Sequence, residues 1–177
     1  MTERTAFVLT VSDRSARGER PDASGPALAE RLTALGFRVE RGVVPDDEAA
    51  IAAAVRGAAA GHDLVVTSGG TGLSPRDVTP QALRGVIDYE IPGFGEVMRA
   101  AGRASTPFAA LSRSFGARVG SALLLAVPGS PRAAVESLEA VAEILPHALG
   151  TVAPRLGPEE EPANDGGTGG AEEPHHP

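Results

Sequence analysis

The sequence predicts an α/β fold in which buried parallel strands alternate with helices, and three observations carry that prediction. Residues 5–11, 64–66 and 122–127 are nearly unbroken apolar runs, the pattern of strands covered on both faces. Stretches with helical spacing lie between them. Each run also empties into a loop of Ser, Asp, Gly or Pro, and the carboxyl ends of strands are where open α/β sheets bind ligands.

Residues 5–11 form the first expected strand, and Ser12-Asp13-Arg14-Ser15 opens a polar loop that continues through Gly18, Pro21, Asp22 and Ser24. Two readings fit this loop: a solvated Asx-turn, or one wall of a ligand site. A helix follows over residues 26–35, with Leu28, Leu32 and Leu35 on one face, Pro26 at its start and Gly36 past its end. Residues 37–44 read as a strand and residues 47–60 as an alanine-rich helix with Ile51 and Val55 four apart. At their junction Asp46 is either the helix cap or a carboxylate presented beside the Ser12 loop.

The third strand, residues 64–66, leads into the loop from Thr67 to Pro80, where Thr79 reads as a cap and Pro80 as the first residue of a helix over residues 80–85. Residues 91–99 form a turn into a further helix, on which Glu96 either faces solvent or reaches the site. Leu111-Ser112-Arg113-Ser114 precedes a short polar strand or hairpin, with Arg113 a surface residue unless a phosphate lies nearby. The last strand ends in Pro128-Gly129-Ser130-Pro131, where Ser130 caps a helix that Pro131 begins. That cap is either structural only or a second anion site. Val135, Leu138, Ala142, Leu145 and Leu149 then mark one apolar stripe, with Pro146 placed to kink it. Beyond Gly157 the chain is rich in Glu, Gly and Pro without apolar periodicity. Residues 1–156 are therefore expected to form one domain and residues 157–177 an acidic disordered tail, with His175-His176 at its end.

Composition removes several chemistries. The 177 residues include no cysteine, no tryptophan and no lysine, so thiol nucleophiles, thiolate metal sites, Schiff bases and a Walker-type phosphate lysine are all absent. Phosphate must then be held by backbone N–H groups, hydroxyls, arginine or a metal ion. The four histidines lack metal-ligand spacing, whereas a hard cation on carboxylates and substrate phosphates remains compatible. Net charge is -7, but the segment after residue 156 carries six of the 23 acidic residues and none of the 16 basic ones, so the body is nearly balanced. With one tyrosine and five phenylalanines besides, neither a nucleic-acid footprint nor a stacking platform is expected. No apolar run is long enough to span a membrane, and the amino terminus has no apolar signal core, so the expected location is the cytoplasm.

The loop from Thr67 to Pro80 holds three glycines and five hydroxyls, which let N–H groups close on an anion, and it adds Arg76 and Asp77 with opposite charges. Taken with Thr10-Val11-Ser12-Asp13-Arg14, Asp22-Ala23-Ser24-Gly25-Pro26, Val44-Pro45-Asp46-Asp47, Ile91-Pro92-Gly93-Phe94-Gly95-Glu96, Leu111-Ser112-Arg113 and Pro128-Gly129-Ser130-Pro131, it resembles the MogA/MoaB family of molybdenum cofactor biosynthesis proteins. The resemblance runs in order over residues 5–149.

It implies a three-layer α/β sandwich with a mostly parallel central sheet, and a homotrimer or hexamer that works beside other proteins of the same biosynthesis. It also implies a molybdopterin adenylyltransferase, which joins AMP from Mg-ATP to the terminal phosphate of molybdopterin and releases pyrophosphate. On this resemblance Asp46 and Asp77 are the catalytic aspartates and are assigned to Mg²⁺. Ser12, Asp13, Ser68, Gly69, Gly70, Thr71, Gly72, Gly129 and Ser130 surround pterin and phosphates, and Arg76 and Arg113 are candidate phosphate partners. Arg132 stands where relatives often carry lysine, which changes a compact charge into a planar fork. A non-catalytic pterin carrier and a CinA-like nucleotide pyrophosphate hydrolase are the competing functions; MoeA-type metal insertion usually brings further domains.

Overall fold

The computed structural model describes residues 3–153; the expected acidic tail lies outside them. Six strands form one sheet: β1 (Arg4–Val11), β2 (Phe37–Val44), β3 (Leu64–Ser68), β4 (Tyr89–Ile91), β5 (Phe115–Val119) and β6 (Ala122–Val127), in the order β2-β1-β3-β6-β5-β4. β2, β1, β3 and β6 are parallel, β5 runs antiparallel to β6, and β4 antiparallel to β5. The mostly parallel sheet is as the sequence predicts. Every residue of β3 and β6 is buried, which explains why those strands lack alternation.

Helices cover both faces. On one side α2 (Ser24–Ala34), α5 (Pro92–Gly102), α6 (Pro131–Val141) and α7 (Leu145–Val152) pack Leu28, Leu32, Met98, Leu138 and Leu149 against Val8, Val66 and Leu125. On the other, α3 (Glu48–Gly61) and α4 (Thr79–Arg84) pack Ile51, Val55 and Leu83 against Leu9, Val65 and Leu124. The result is a three-layer sandwich. A short helix, α1 (Asp13–Ala16), and a 3-10 turn over Pro107–Leu111 border the carboxyl edge of the parallel strands.

Four local expectations change. Asp47, not Asp46, caps α3, accepting the Ala50 N–H at 2.8 Å, and Asp46 is released for another contact. Thr79 is the first residue of α4, and its hydroxyl turns inward instead of capping. β4 is a strand of three residues, too short to show a period, and β5 is buried where a polar strand was expected. The long carboxyl-terminal helix is two: α6 ends at Val141, and Pro146, which cannot donate to an earlier turn, stands in the first turn of α7.

Candidate active site

The loop after β3 is stitched to the end of β6 before it enters the site. Ser68 Oγ donates to the Pro128 carbonyl at 3.0 Å, and the Gly69 N–H donates to the Val127 carbonyl at 3.1 Å. Gly69 and Gly70 then take φ of 107° and 65°, the left-handed region that glycine tolerates. A Cβ on Gly70 would lie 2.2 Å from Thr79 Oγ1, so Thr79 occupies the space a side chain would need. Thr79 returns a hydrogen bond from its hydroxyl to the Gly69 carbonyl at 2.9 Å and from its N–H to the Gly70 carbonyl at 3.1 Å. The N–H groups of Gly70, Thr71 and Gly72 take no protein acceptor among the described residues, which leaves three donors for an anion.

Arg113 holds the far end of this loop. Its Nε donates to the Gly72 carbonyl at 2.9 Å, Nη1 to Gln81 Oε1 at 3.2 Å and Nη2 to the Asp77 carbonyl, while its own N–H reaches the Thr71 carbonyl at 2.9 Å. The guanidinium is thus a clamp on the loop backbone, and it does not border the cavity described below. Asp77 Oδ2 accepts the Ser74 N–H at 2.9 Å, and a Cβ on Gly72 would come 2.8 Å from that oxygen. Glycine at 72 therefore lets the carboxylate lie close to the loop.

Beside this loop, β1 and β2 deliver two further aspartates. The Asp13 N–H donates to Asp46 Oδ2 at 2.9 Å, and the Asp46 N–H donates to Asp13 Oδ1 at 3.0 Å, a reciprocal pair that joins the two loops. Arg76 forms an ion pair with Asp13 Oδ2 and is itself largely exposed. Burial, and then the charge of Asp77, push the Asp46 carboxyl above its ordinary value. The charge of Asp77 therefore lies close enough to act on Asp46. Ser12, the cap of α1, accepts the Ser15 N–H at 3.2 Å.

On the other flank of the glycine loop lies a cavity of about 600 Å³, bordered by Gly70, Thr71, Gly72, Leu73, Asp77, Pro128, Gly129 and Ser130 together with α5, α6 and the 3-10 turn. Gly129 lies against Gly69, where a Cβ would approach the Gly69 Cα to 3.2 Å. Ser130 caps α6 through the Ala133 N–H at 3.3 Å. Asp13, Asp46 and Arg76 are absent from this border, so the glycine loop and Asp77 stand between the Asp13–Asp46 pair and a mainly apolar cavity. Arg99, Ser112, Ser114 and Glu136 also line it. Sequence reasoning did not select them, because on a helix face or before a strand such residues look like ordinary surface polarity. Arg99 carried the one usable signal, a cation four residues after Gly95 on a helix, where its guanidinium can lie over the glycine.

The family described as a probable molybdopterin binding domain matches residues 7–147. The chain belongs to this family. Within it, the chain is 40% identical over 139 residues to the molybdopterin adenylyltransferase of Escherichia coli strain K12, covering 76% of this chain and 71% of that protein. It is 41% identical over 146 residues to a molybdenum cofactor biosynthesis bifunctional protein of Synechococcus elongatus; this covers 81% of the chain but only 46% of that longer relative. Among solved structures of this family, the molybdopterin biosynthesis enzyme MoaB of Thermus thermophilus superposes with a TM-score of 0.79 at 47% identity, over 84% of this chain and 96% of that one. The MogA/MoaB resemblance read from the motifs is thereby established, as is the molybdopterin-binding-domain fold.

Proposed function

We propose that the chain is a molybdopterin adenylyltransferase, which transfers AMP from ATP to the terminal phosphate of molybdopterin. An oxygen of that phosphate forms the new bond to the α-phosphorus of ATP, the bond from the α-phosphorus to the β-phosphate oxygen breaks, and pyrophosphate leaves. The observation that carries this reading is the glycine loop between the cavity and the Asp13–Asp46–Asp77 recess. One loop offers unpaired N–H donors, with room for a heterocycle on one flank and carboxylates on the other.

The residues fit a divalent cation that arrives with substrate. Among the described residues no cluster of three or more His, Cys, Asp or Glu makes a cage for a resident ion. Asp46 and Asp77 each commit one carboxylate oxygen, Oδ2, to a backbone N–H, which leaves Oδ1 on both. One or two carboxylates with substrate phosphates as the remaining ligands is how Mg²⁺ is usually held. When bound, the ion neutralises charge on the departing pyrophosphate. The chain itself binds and orients: the Gly70, Thr71 and Gly72 N–H groups hold a phosphate, and Ser130 and Gly129 border the molybdopterin side. Arg76 is exposed enough to exchange Asp13 for a phosphate oxygen. Ser12, Asp13 and Ser68 keep the three loops in register. Arg113 acts on phosphate only through the loop it clamps.

The test combines the protein with molybdopterin, Mg²⁺ and α-labelled ATP, alongside Asp77→Asn. Label transfer and pyrophosphate release that need molybdopterin and vanish in the variant support the transferase. ATP cleavage without molybdopterin indicates a hydrolase, and tight molybdopterin binding without transfer indicates a carrier. Light scattering of the same samples tests the homotrimer that the reading includes.

A further inference from the structure

We propose that Glu136 and Arg99 read the polar edge of the heterocycle, and that Glu136 is the residue that selects a 2-amino-4-oxo pyrimidine ring over a 2,4-dioxo one; this rests on the cavity taking the pterin end of the substrate. Both side chains line the cavity, on helices α6 and α5, and both are held in place by the protein. Glu136 Oε1 accepts the Ser105 hydroxyl at 2.5 Å, and Oε2 lies toward Gly102, where a Cβ would stand 3.9 Å from it. The Arg99 Nη1 donates to the carbonyls of Ser114 at 2.7 Å and Ser112 at 3.3 Å, and its guanidinium lies over Gly95, where a Cβ would be 3.0 Å away. Nη1 is thereby saturated. Arg99 Nε and Nη2 and Glu136 Oε2 have no protein partner among the described residues.

A cavity with a fixed cation and a fixed carboxylate on its helical wall, and a further carboxylate, Asp77, at its loop edge, does not favour a bare phosphate; it favours a neutral ring that carries donors and acceptors. The 2-amino-4-oxo edge offers two adjacent donors, N3–H and the 2-amino group, which a carboxylate accepts side by side, and a 4-oxo acceptor for a guanidinium. Replacing the 2-amino group by oxygen would set a second acceptor against the Glu136 carboxylate. Sites built to hydrogen-bond a substrate group reject analogues that lack it far more strongly than apolar pockets reject a missing methylene.

The probes are 6-hydroxymethylpterin and 6-hydroxymethyllumazine, which differ at C2 alone, titrated by fluorescence into the full chain. The wild type is expected to bind the pterin at least about 10-fold more tightly than the lumazine. Glu136→Gln, nearly isosteric, should bring the two within about 3-fold, whereas Glu48→Gln, an exposed position on α3 on the opposite face of the sheet, should keep the wild-type preference. Ser105→Ala, which loosens the carboxylate without removing it, should give an intermediate ratio. Equal binding of the two compounds by the wild type, binding of neither, or an undiminished preference in Glu136→Gln would overturn the inference. The adenylyl-transfer assay, run in parallel, separates the two readings. Transfer with no ring preference sinks this inference and leaves the function standing, and ring preference without transfer does the reverse.

Discussion

At the scale of single residues, Asp46 carries the sharpest expectation. Its carboxyl is shifted upward by burial and by Asp77, so the folded protein binds that proton more tightly than the unfolded chain does. The stabilising contribution is complete below the ordinary value of 3.8 and is lost as pH rises through the folded-state value. At neutral pH the ionised group is a cost borne for function. Asp46→Asn keeps an oxygen for the Asp13 N–H but removes the charge. It is expected to melt no lower than the wild type at pH 7, with the difference shrinking as pH approaches 4, while adenylyl transfer falls on the order of 10²-fold or more. Melting curves across pH, paired with transfer rates, check both halves. Thr79→Val tests the loop from the inside: it removes the buried bond to the Gly69 carbonyl and should cost about 1–3 kcal/mol in denaturant unfolding. The roles of both residues were half legible in the sequence. Asp46 could be placed at a strand end, but whether it capped a helix or faced another loop depended on which neighbour took the cap, and Asp47 did.

Among elements, the informative one is the segment leading into β5. Because β5 runs against the parallel strands, its amino end meets their carboxyl ends, and this delivers Arg113 to the glycine loop from 36 residues away, as its bond to the Asp77 carbonyl shows. Arg113→Lys keeps the charge but cannot reach Gly72, Asp77 and Gln81 together. We expect a loss of about 1.5–3 kcal/mol of stability and a drop in kcat with little change in KM, measured by chemical unfolding and steady-state kinetics. The sequence could not expose this clamp. It showed that the first, third and last strands were buried, but β4 and the antiparallel turn of β5 carry no period of their own, and the order of strands is a tertiary property. The cap at Ser130 was readable, since Ser-Pro at a strand end suffices to specify it.

For the whole molecule, two apolar layers close on one sheet, and the layer under α2, α5, α6 and α7 has its last buried residue at Leu149, with Val152 packed against it. A chain stopped at Leu156 is therefore expected to keep the melting temperature and the transfer rate of the full chain, which calorimetry and the labelled-ATP assay would test. Saturating Mg-ATP should raise the melting temperature by roughly 5–10 °C at 100 times its Kd, and the rise should shrink in Asp46→Asn. The division of the site by the glycine loop has a kinetic consequence as well. In the proposed transfer ATP takes the Asp13–Asp46 side of the loop and molybdopterin the cavity side, with Asp77 and the glycine loop between them, so neither needs the other bound. The chain lends no cysteine or lysine to carry the adenylyl group between them, and both reactants meet across the loop. Initial-rate plots should therefore give intersecting lines, with either partner able to enter first.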